Sequence, residues 1–237
     1  MYNNKKIVAI IPARGGSKRV PKKNIKSLCG NPLISYIIRA SLASRYIDKT
    51  IVSTDDSEIA EVSRKYGAEV IDRPAELARD ETPDTPVLRH VIKHLTEKEN
   101  YTADIIVFLH ATSPLCGTAD IDNAIERFAG GDADLVAGVV EAERHPFWNF
   151  RMINGNKLLP FIENISYTIR QQELPKTYIL NGAFYIMRAE KVQKESFFGG
   201  DMHGIIMSKE KSIDIDTELD FEIAEFLMKR NDKRKCK

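Results

Sequence analysis

Ile7-Val8-Ala9-Ile10-Ile11-Pro12-Ala13-Arg14-Gly15-Gly16-Ser17-Lys18-Arg19 decides how this chain folds. Five consecutive apolar residues, broken by Pro12 and then by two glycines, have the pattern of a strand buried on both faces that runs out into a loop. Similar runs recur at Thr50–Ser53, Ala68–Ile71, Ile105–Leu109 and Leu135–Val140. Between them lie stretches with helical apolar spacing: Leu33–Ala43, Ser57–Tyr66, Thr85–Leu95 and Ala119–Phe128. Asn31 and Pro32 signal one helix start, and Gly67 and Gly130-Gly131 signal two ends. Buried strands alternating with helices predict an α/β fold with a mostly parallel sheet and helices on both faces. The rhythm fails from about 141 to 180, a stretch rich in Pro, Asn, Gln and aromatics. That segment is expected to be an arm inserted into a single domain spanning residues 1–237, packing on a second subunit. Strands are expected again at Ala183–Met187, Gly204–Met207 and Ser212–Ile215, then a helix from Glu218. Thr217 and Asp220 form its capping box. The last nine residues, Lys229–Lys237, are expected to be a frayed, solvated end.

Composition narrows the function. Apolar residues make up 43% of 237, charged residues 29%, and the net charge is +1. The near-neutral balance hides an asymmetry: no Asp or Glu occurs before Asp48, while Arg14, Lys18, Arg19, Lys22, Lys23 and Lys26 crowd one loop. A nucleic-acid binder is expected to be basic overall; a local cluster in a neutral chain points to a small anionic ligand. Three widely spaced cysteines (Cys29, Cys116, Cys236) make neither a disulfide framework nor a CxxC metal pattern. No run approaches the ~20 apolar residues that span a bilayer, and the start lacks a signal-peptide pattern. A cytoplasmic protein without a membrane partner is the expectation.

In parallel α/β sheets, ligands bind where strands end at their carboxyl side. Ala13, Arg14, Gly15 and Lys18 stand at that point. Two glycines let the backbone approach an oxyanion, and the cations neutralise it. The spacing matches neither a Walker A loop nor GxGxxG. Six cations without an acid over residues 14–26 repel one another unless an anion lies among them. Near the other end, Ser212-Ile213-Asp214-Ile215-Asp216 alternates, so Asp214 and Asp216 share one side of an expected strand. Two adjacent hard carboxylates suit Mg²⁺ bridging to phosphate. Asp132-Ala133-Asp134 has the same spacing but lies in a turn before a strand, and is read as a decoy. His90 and His94 have the spacing of a zinc pair without the Glu of HExxH, and read as ordinary helix residues.

Together these residues resemble the acylneuraminate cytidylyltransferases, the CMP-sialic acid synthetases. The signposts run in order from about Lys6 to Met228: IPARGGSKRVPKKN from Ile11, IVSTDD from Ile51, RPAELA from Arg73, ATSPL from Ala111, NGAFYI from Asn181 and SIDIDTELD from Ser212. The resemblance implies a nucleotide-binding α/β domain with a protruding dimerisation arm, hence a homodimer. It implies CTP and an acidic nine-carbon sugar as substrates, with Mg²⁺ on Asp214 and Asp216. It places Arg14, Lys18 and Lys23 on the triphosphate, Asn24 and Arg73 near the cytidine, and Thr85 in the site. Arg14, Lys23 and Asp214 would carry the chemistry. Tyr185, Phe197 and Phe198 match an acyl-sugar pocket and Arg170-Gln171 an arm pair that approaches a partner's site. His110 stands where sialate enzymes of this type carry Gln, Trp148 where they carry Lys, Ile179 and Cys116 where they carry Arg. With His145–Asn149, these departures look more like enzymes activating diacetylated, legionaminate-type sugars. Two other classes remain: a metal-dependent glycosyltransferase, and a non-catalytic nucleotide-sugar-binding protein of the same fold.

Overall fold

The computed structural model describes residues 2, 4–163, 168–194 and 196–235, with the side chains of 171 and 231–235 outside that description. The chain begins with β1 (Ile7–Pro12), then β2 (Ser27–Leu28), β3 (Asn31–Pro32) and α1 (Leu33–Leu42). It continues through β4 (Lys49–Thr54), α2 (Ser57–Lys65), β5 (Glu69–Asp72), α3 (Asp84–Glu99), β6 (Ile105–Leu109), α4 (Thr118–Ala129) and β7 (Leu135–Glu141). After a hairpin of β8 (Phe150–Ile153) and β9 (Lys157–Pro160) come β10 (Tyr178–Arg188), β11 (Met202–Ile206) and α5 (Glu218–Lys235). Seven strands form one sheet in the order β11-β7-β10-β6-β1-β4-β5. All neighbours run parallel except β10, which is antiparallel to both β6 and β7.

β1 is apolar throughout because both its faces are covered. Ile7, Ala9 and Ile11 pack with Ile34, Ile37 and Ile38 of α1 and Ile121 and Ile125 of α4. Val8 and Ile10 point the other way, to Leu88, Val91 and Leu95 of α3. Each of the Ile and Val side chains gains roughly 1.5–3 kcal/mol on leaving water, so this period-two split holds the strand's register. α5 closes a third cluster with Phe221 and Ala224 against Leu28, Leu33 and Ile215. The Asp56 side chain accepts from the amides of Glu58 and Ile59, each at 2.9 Å, to start α2. Gly67, at φ +94, ends it in the left-handed region that favours glycine.

Four expectations need correction. Ser212–Ile215 is no strand: Ser212 ends a short 3-10 turn, and beyond it the segment is extended, tied by one hydrogen bond from Ile215 N to Thr112 O at 2.9 Å. Ile215 is buried while Asp214 and Asp216 are exposed, so the alternation is real but no ladder accompanies it. The inserted arm is not wholly irregular, because β8 and β9 pair through a turn at Asn154-Gly155, with φ +49 and +83. Asn-Gly is the strongest short hairpin signal, and it is present in the sequence. β10 starts five residues earlier than its apolar core Ala183–Met187, at Tyr178. Finally, the basic tail does not fray at Lys229; α5 continues to Lys235.

Candidate active site

The carboxyl ends of β1, β4 and β6 lie side by side, and the segments that follow β1, β5 and β6 enclose a cavity of about 550 Å³. The loop after β1 is anchored before it reaches the cavity. Ala13 N donates to Ser53 O at 2.9 Å, Gly15 N to Asp55 Oδ1 at 3.1 Å, and the Asn24 amide to Arg14 O at 3.0 Å. Gly15 is required for a steric reason: a Cβ there would stand 2.6 Å from Asp56 Oδ2, on the residue that caps α2. Arg14, Lys18, Lys23 and Asn24 then line the cavity together with Asp80, Asp84 and Asp216.

Each cation of the loop is balanced by a distant acid. Arg14 and Lys18 both pair with Asp80, Lys22 pairs with Glu58, and Lys26 pairs with Glu218. Lys23 Nζ reaches Asp216 Oδ1 at 3.1 Å and Ile215 O at 2.6 Å, while Arg19 reaches Asp216 Oδ2 at 3.0 Å. The cluster therefore does not depend on a bound anion to exist, contrary to expectation. Hydrogen bonds from Lys18 and Arg14 hold the Asp80 carboxyl below the usual carboxylate range. Exposed pairs of this kind contribute about 0–1 kcal/mol, so an incoming polyanion can replace the acids.

The acid pair lies at the same mouth. Asp216 is clamped from behind, its amide donating to Asp220 Oδ2 at 3.1 Å. Asp214 lies beside Gly182, where an added Cβ would stand 3.6 Å from Asp214 Oδ2 and 3.5 Å from His110 Nδ1. At φ +73, Gly182 sits where the register of β10 shifts, letting His110 and Asp214 approach its backbone. Arg14, Lys23 and Asp216 are thus brought together as expected, with Asp214 close by.

An aromatic wall adjoins them. The His110 ring lies 4.6 Å from that of Phe108 and 6.0 Å from that of Tyr185. Tyr185 is 5.7 Å from Phe197 and 5.3 Å from Phe198. Burial lowers the pKa of His110 against the pull of Asp84 and Asp214, and burial raises that of Tyr185.

Other expected site residues stand elsewhere. Arg73 is buried with Nη2 donating to Ser53 O at 2.5 Å, behind the cavity rather than on its wall. Thr85 is buried, and its neighbour Asp84 takes the place on the wall. Arg170 pairs with Glu173 on the arm, and the Gln171 side chain lies outside the described residues. His94 is 3.9 Å from Glu99, consistent with a helix-surface residue. Cys29 Sγ lies 3.8 Å from Glu225 O, Cys116 is buried, and Cys236 lies outside the described residues. Asp132, read as a decoy, does group with Asp201 and His203, their ligand atoms within 4.8 Å. That grouping is at the amino ends of β7 and β11, the opposite end of the sheet from the cavity. The sequence reading missed Asp80 and Asp84: a single acid in a connector and one at a helix start follow no pattern, though both closely follow the RPAELA signpost.

Comparison with known proteins agrees with this geometry. The family described as cytidylyltransferase matches residues 8–198. A pseudaminic acid cytidylyltransferase from Campylobacter jejuni is 36% identical over 228 residues, 95% of this chain and 97% of that one. A CMP-N,N'-diacetyllegionaminic acid synthase from the same species is 36% identical over 224 residues, 94% of each. Among solved structures, CMP:2-keto-3-deoxy-manno-octonic acid synthetase complexed with CTP superposes with a TM-score of 0.72 at 19% identity. It covers 95% of this chain and 99% of that one, a likeness of fold. With an α/β sheet, a cation-rich loop at its carboxyl end and a matching family profile over most of its length, this chain belongs to the cytidylyltransferase family of nucleotidyltransferases.

Proposed function

We propose that this protein transfers CMP from CTP to the anomeric hydroxyl of a nonulosonic acid, releasing pyrophosphate. One observation carries the reading: Lys23 bridges the phosphate-type loop and the acid pair, at 3.1 Å from Asp216, beside an aromatic wall. Arg14, Lys18 and Lys23 exchange their carboxylate partners for the triphosphate and neutralise the charge that develops on pyrophosphate. Asn24, through its hold on the Arg14 carbonyl, keeps Ala13 to Gly15 placed against the nucleotide. Arg73 and Thr85 support the same region from behind.

Asp214 and Asp216 fit a hard divalent cation: they are exposed oxygen donors two residues apart, at the cavity mouth and without a competing soft ligand. Mg²⁺ held there supplies Lewis-acid neutralisation at the α-phosphate. Arg19 and Lys23, which pair with Asp216, would be in reach of the same phosphate oxygens.

Tyr185, Phe197 and Phe198 with His110 form the wall for the sugar's acyl groups. Such an apolar wall suits a diacetylated, legionaminate-type sugar better than N-acetylneuraminate, whose hydroxyls would face rings. The arm at about 141–180 carries exposed Phe150, Met152, Leu158 and Phe161, consistent with a homodimer in which Arg170 and Gln171 approach the partner's site. No helix among the described residues is long and apolar enough to cross a membrane. A cytoplasmic enzyme drawing on the CTP pool fits the reading.

The test is pyrophosphate release from CTP and Mg²⁺ with legionaminate, pseudaminate or N-acetylneuraminate in parallel. Release with a diacetylated sugar is expected. A clear preference for N-acetylneuraminate sinks the sugar assignment. No release with any of them returns the protein to a glycosyltransferase or a nucleotide-sugar-binding role.

A further inference from the structure

The reaction proposed above, on which this inference rests, leaves one proton unassigned. As the anomeric oxygen bonds to the α-phosphorus, the bond from that phosphorus to its bridging oxygen breaks. The electron pair departs with pyrophosphate, and the hydroxyl proton needs an acceptor. Four carboxylates stand at or beside the cavity. Asp80 is held by Arg14 and Lys18, and Asp216 by Lys23 and Arg19. Asp214 turns to Gly182 and His110, in the place read above for the metal. Asp84 differs: it lines the cavity, is exposed, and its carboxylate makes no hydrogen bond or ion pair among the described residues.

Its place is also the right one. Of the charges around His110 and around Tyr185, that of Asp84 bears most heavily on both, ahead of Asp214. It also acts on Arg73, on the nucleotide side. Asp84 also lines one cavity with Arg14, Lys18 and Lys23 on the cationic side and with Phe108 and His110 of the aromatic wall, the space in which the new bond must form.

We propose that Asp84 is the catalytic proton acceptor: a carboxylate oxygen takes the anomeric hydroxyl proton as the oxygen–phosphorus bond forms, and passes it to water after pyrophosphate leaves. Asp84 is the first residue of α3 and exposed, while the next residue, Thr85, is buried. A first-turn acid also favours the helix, and that bland role predicts a different outcome.

The experiment compares the full-length protein with Asp84→Asn and Asp84→Glu. For Asp84→Asn, kcat is expected to fall roughly 10²- to 10⁴-fold, as loss of a general base requires. CTP affinity by calorimetry and the Mg²⁺ half-saturation stay within about threefold of the parent, and Asp84→Glu recovers part of kcat. A kcat for Asp84→Asn within about tenfold of the parent overturns the proposal, as does a change confined to Tm. Rescue by excess Mg²⁺ makes Asp84 a metal ligand, and loss of CTP binding makes it a nucleotide contact; either outcome also overturns it. A parent that releases no pyrophosphate with any nonulosonic acid removes the proposed reaction itself, a result separate from any property of the variants.

Discussion

At the scale of single residues, the site is built from contacts that tolerate little change. Gly15→Ala would push a Cβ to 2.6 Å from Asp56 Oδ2, straining the loop and the α2 cap at once. A stability loss of about 1–3 kcal/mol is expected in urea unfolding, as for other overpacked sites. An unchanged midpoint would show that Asp56 can step aside. Asp216→Asn keeps the shape of a metal ligand and removes its charge, so turnover should drop about 10³-fold if it holds the essential cation. Near-normal turnover at ordinary Mg²⁺ would refute the assignment. Asp80→Asn should work in the opposite direction. It frees Arg14 and Lys18 from an exposed internal partner, and calorimetry should show CTP binding about two- to fivefold tighter. Weaker binding would mean that Asp80 positions the two cations rather than competing for them. The cations, the acid pair and the aromatics of this site were legible in the sequence; Asp80 and Asp84 were not, since nothing local marks which acid faces a cavity.

At the scale of elements, two helix caps connect folding to the site. Asp56 starts α2 while its side chain packs over Gly15. Asp56→Ala should cost about 0.5–2 kcal/mol, read from the urea midpoint, and no loss would remove it from the capping role. Asp220 starts α5: its Oδ2 accepts from the Thr217 amide at 2.8 Å and hydroxyl at 2.7 Å. The same oxygen receives the Asp216 amide, so the helix cap and the acid pair are one device. The Thr217 hydroxyl, more than any other group, holds the Asp220 carboxyl below its ordinary value of 3.8. A depressed folded value means this stabilisation is complete above the unfolded value and is lost as pH falls through the folded one. Asp220→Asn should therefore flatten the decline in stability as pH falls below about 4, measured by urea midpoints across the acid range. An acid limb as steep as the parent's would show that other carboxylates govern it. Strand and helix positions were largely readable, because buried faces impose periods of two and 3.6 on apolar residues. The exception at Ser212–Ile215 is instructive: alternating burial arises wherever extended chain lies on a core, with or without a neighbouring strand.

At the scale of the molecule, the arm is the feature that leaves large apolar side chains exposed on a single chain. Met152 is 67% exposed and Phe161 65%, apolar surface that a second copy would cover in the proposed dimer. Replacing both by Glu should convert a dimer to a monomer in sedimentation, and an unaltered mass would place the interface elsewhere. The sheet order sets the rest. β10 enters antiparallel between β6 and β7, so its early residues return to the carboxyl end where β1 and β6 finish. That return carries Gly182 and Tyr185 to the site, and no local pattern in the sequence announces it.

The amino-acid sequence by itself determined the alternation of strand and helix, the cation-rich loop and the family. Each is written in neighbouring residues, through hydrophobic period, turn chemistry and motif. Tertiary structure alone decided which acid meets which cation, and which face of α3 looks into the cavity. Arg19 and Asp216 pair across 197 positions of sequence, a distance over which no local periodicity carries information. Only the closing of the sheet, driven by burial on both its faces, brings such residues within reach.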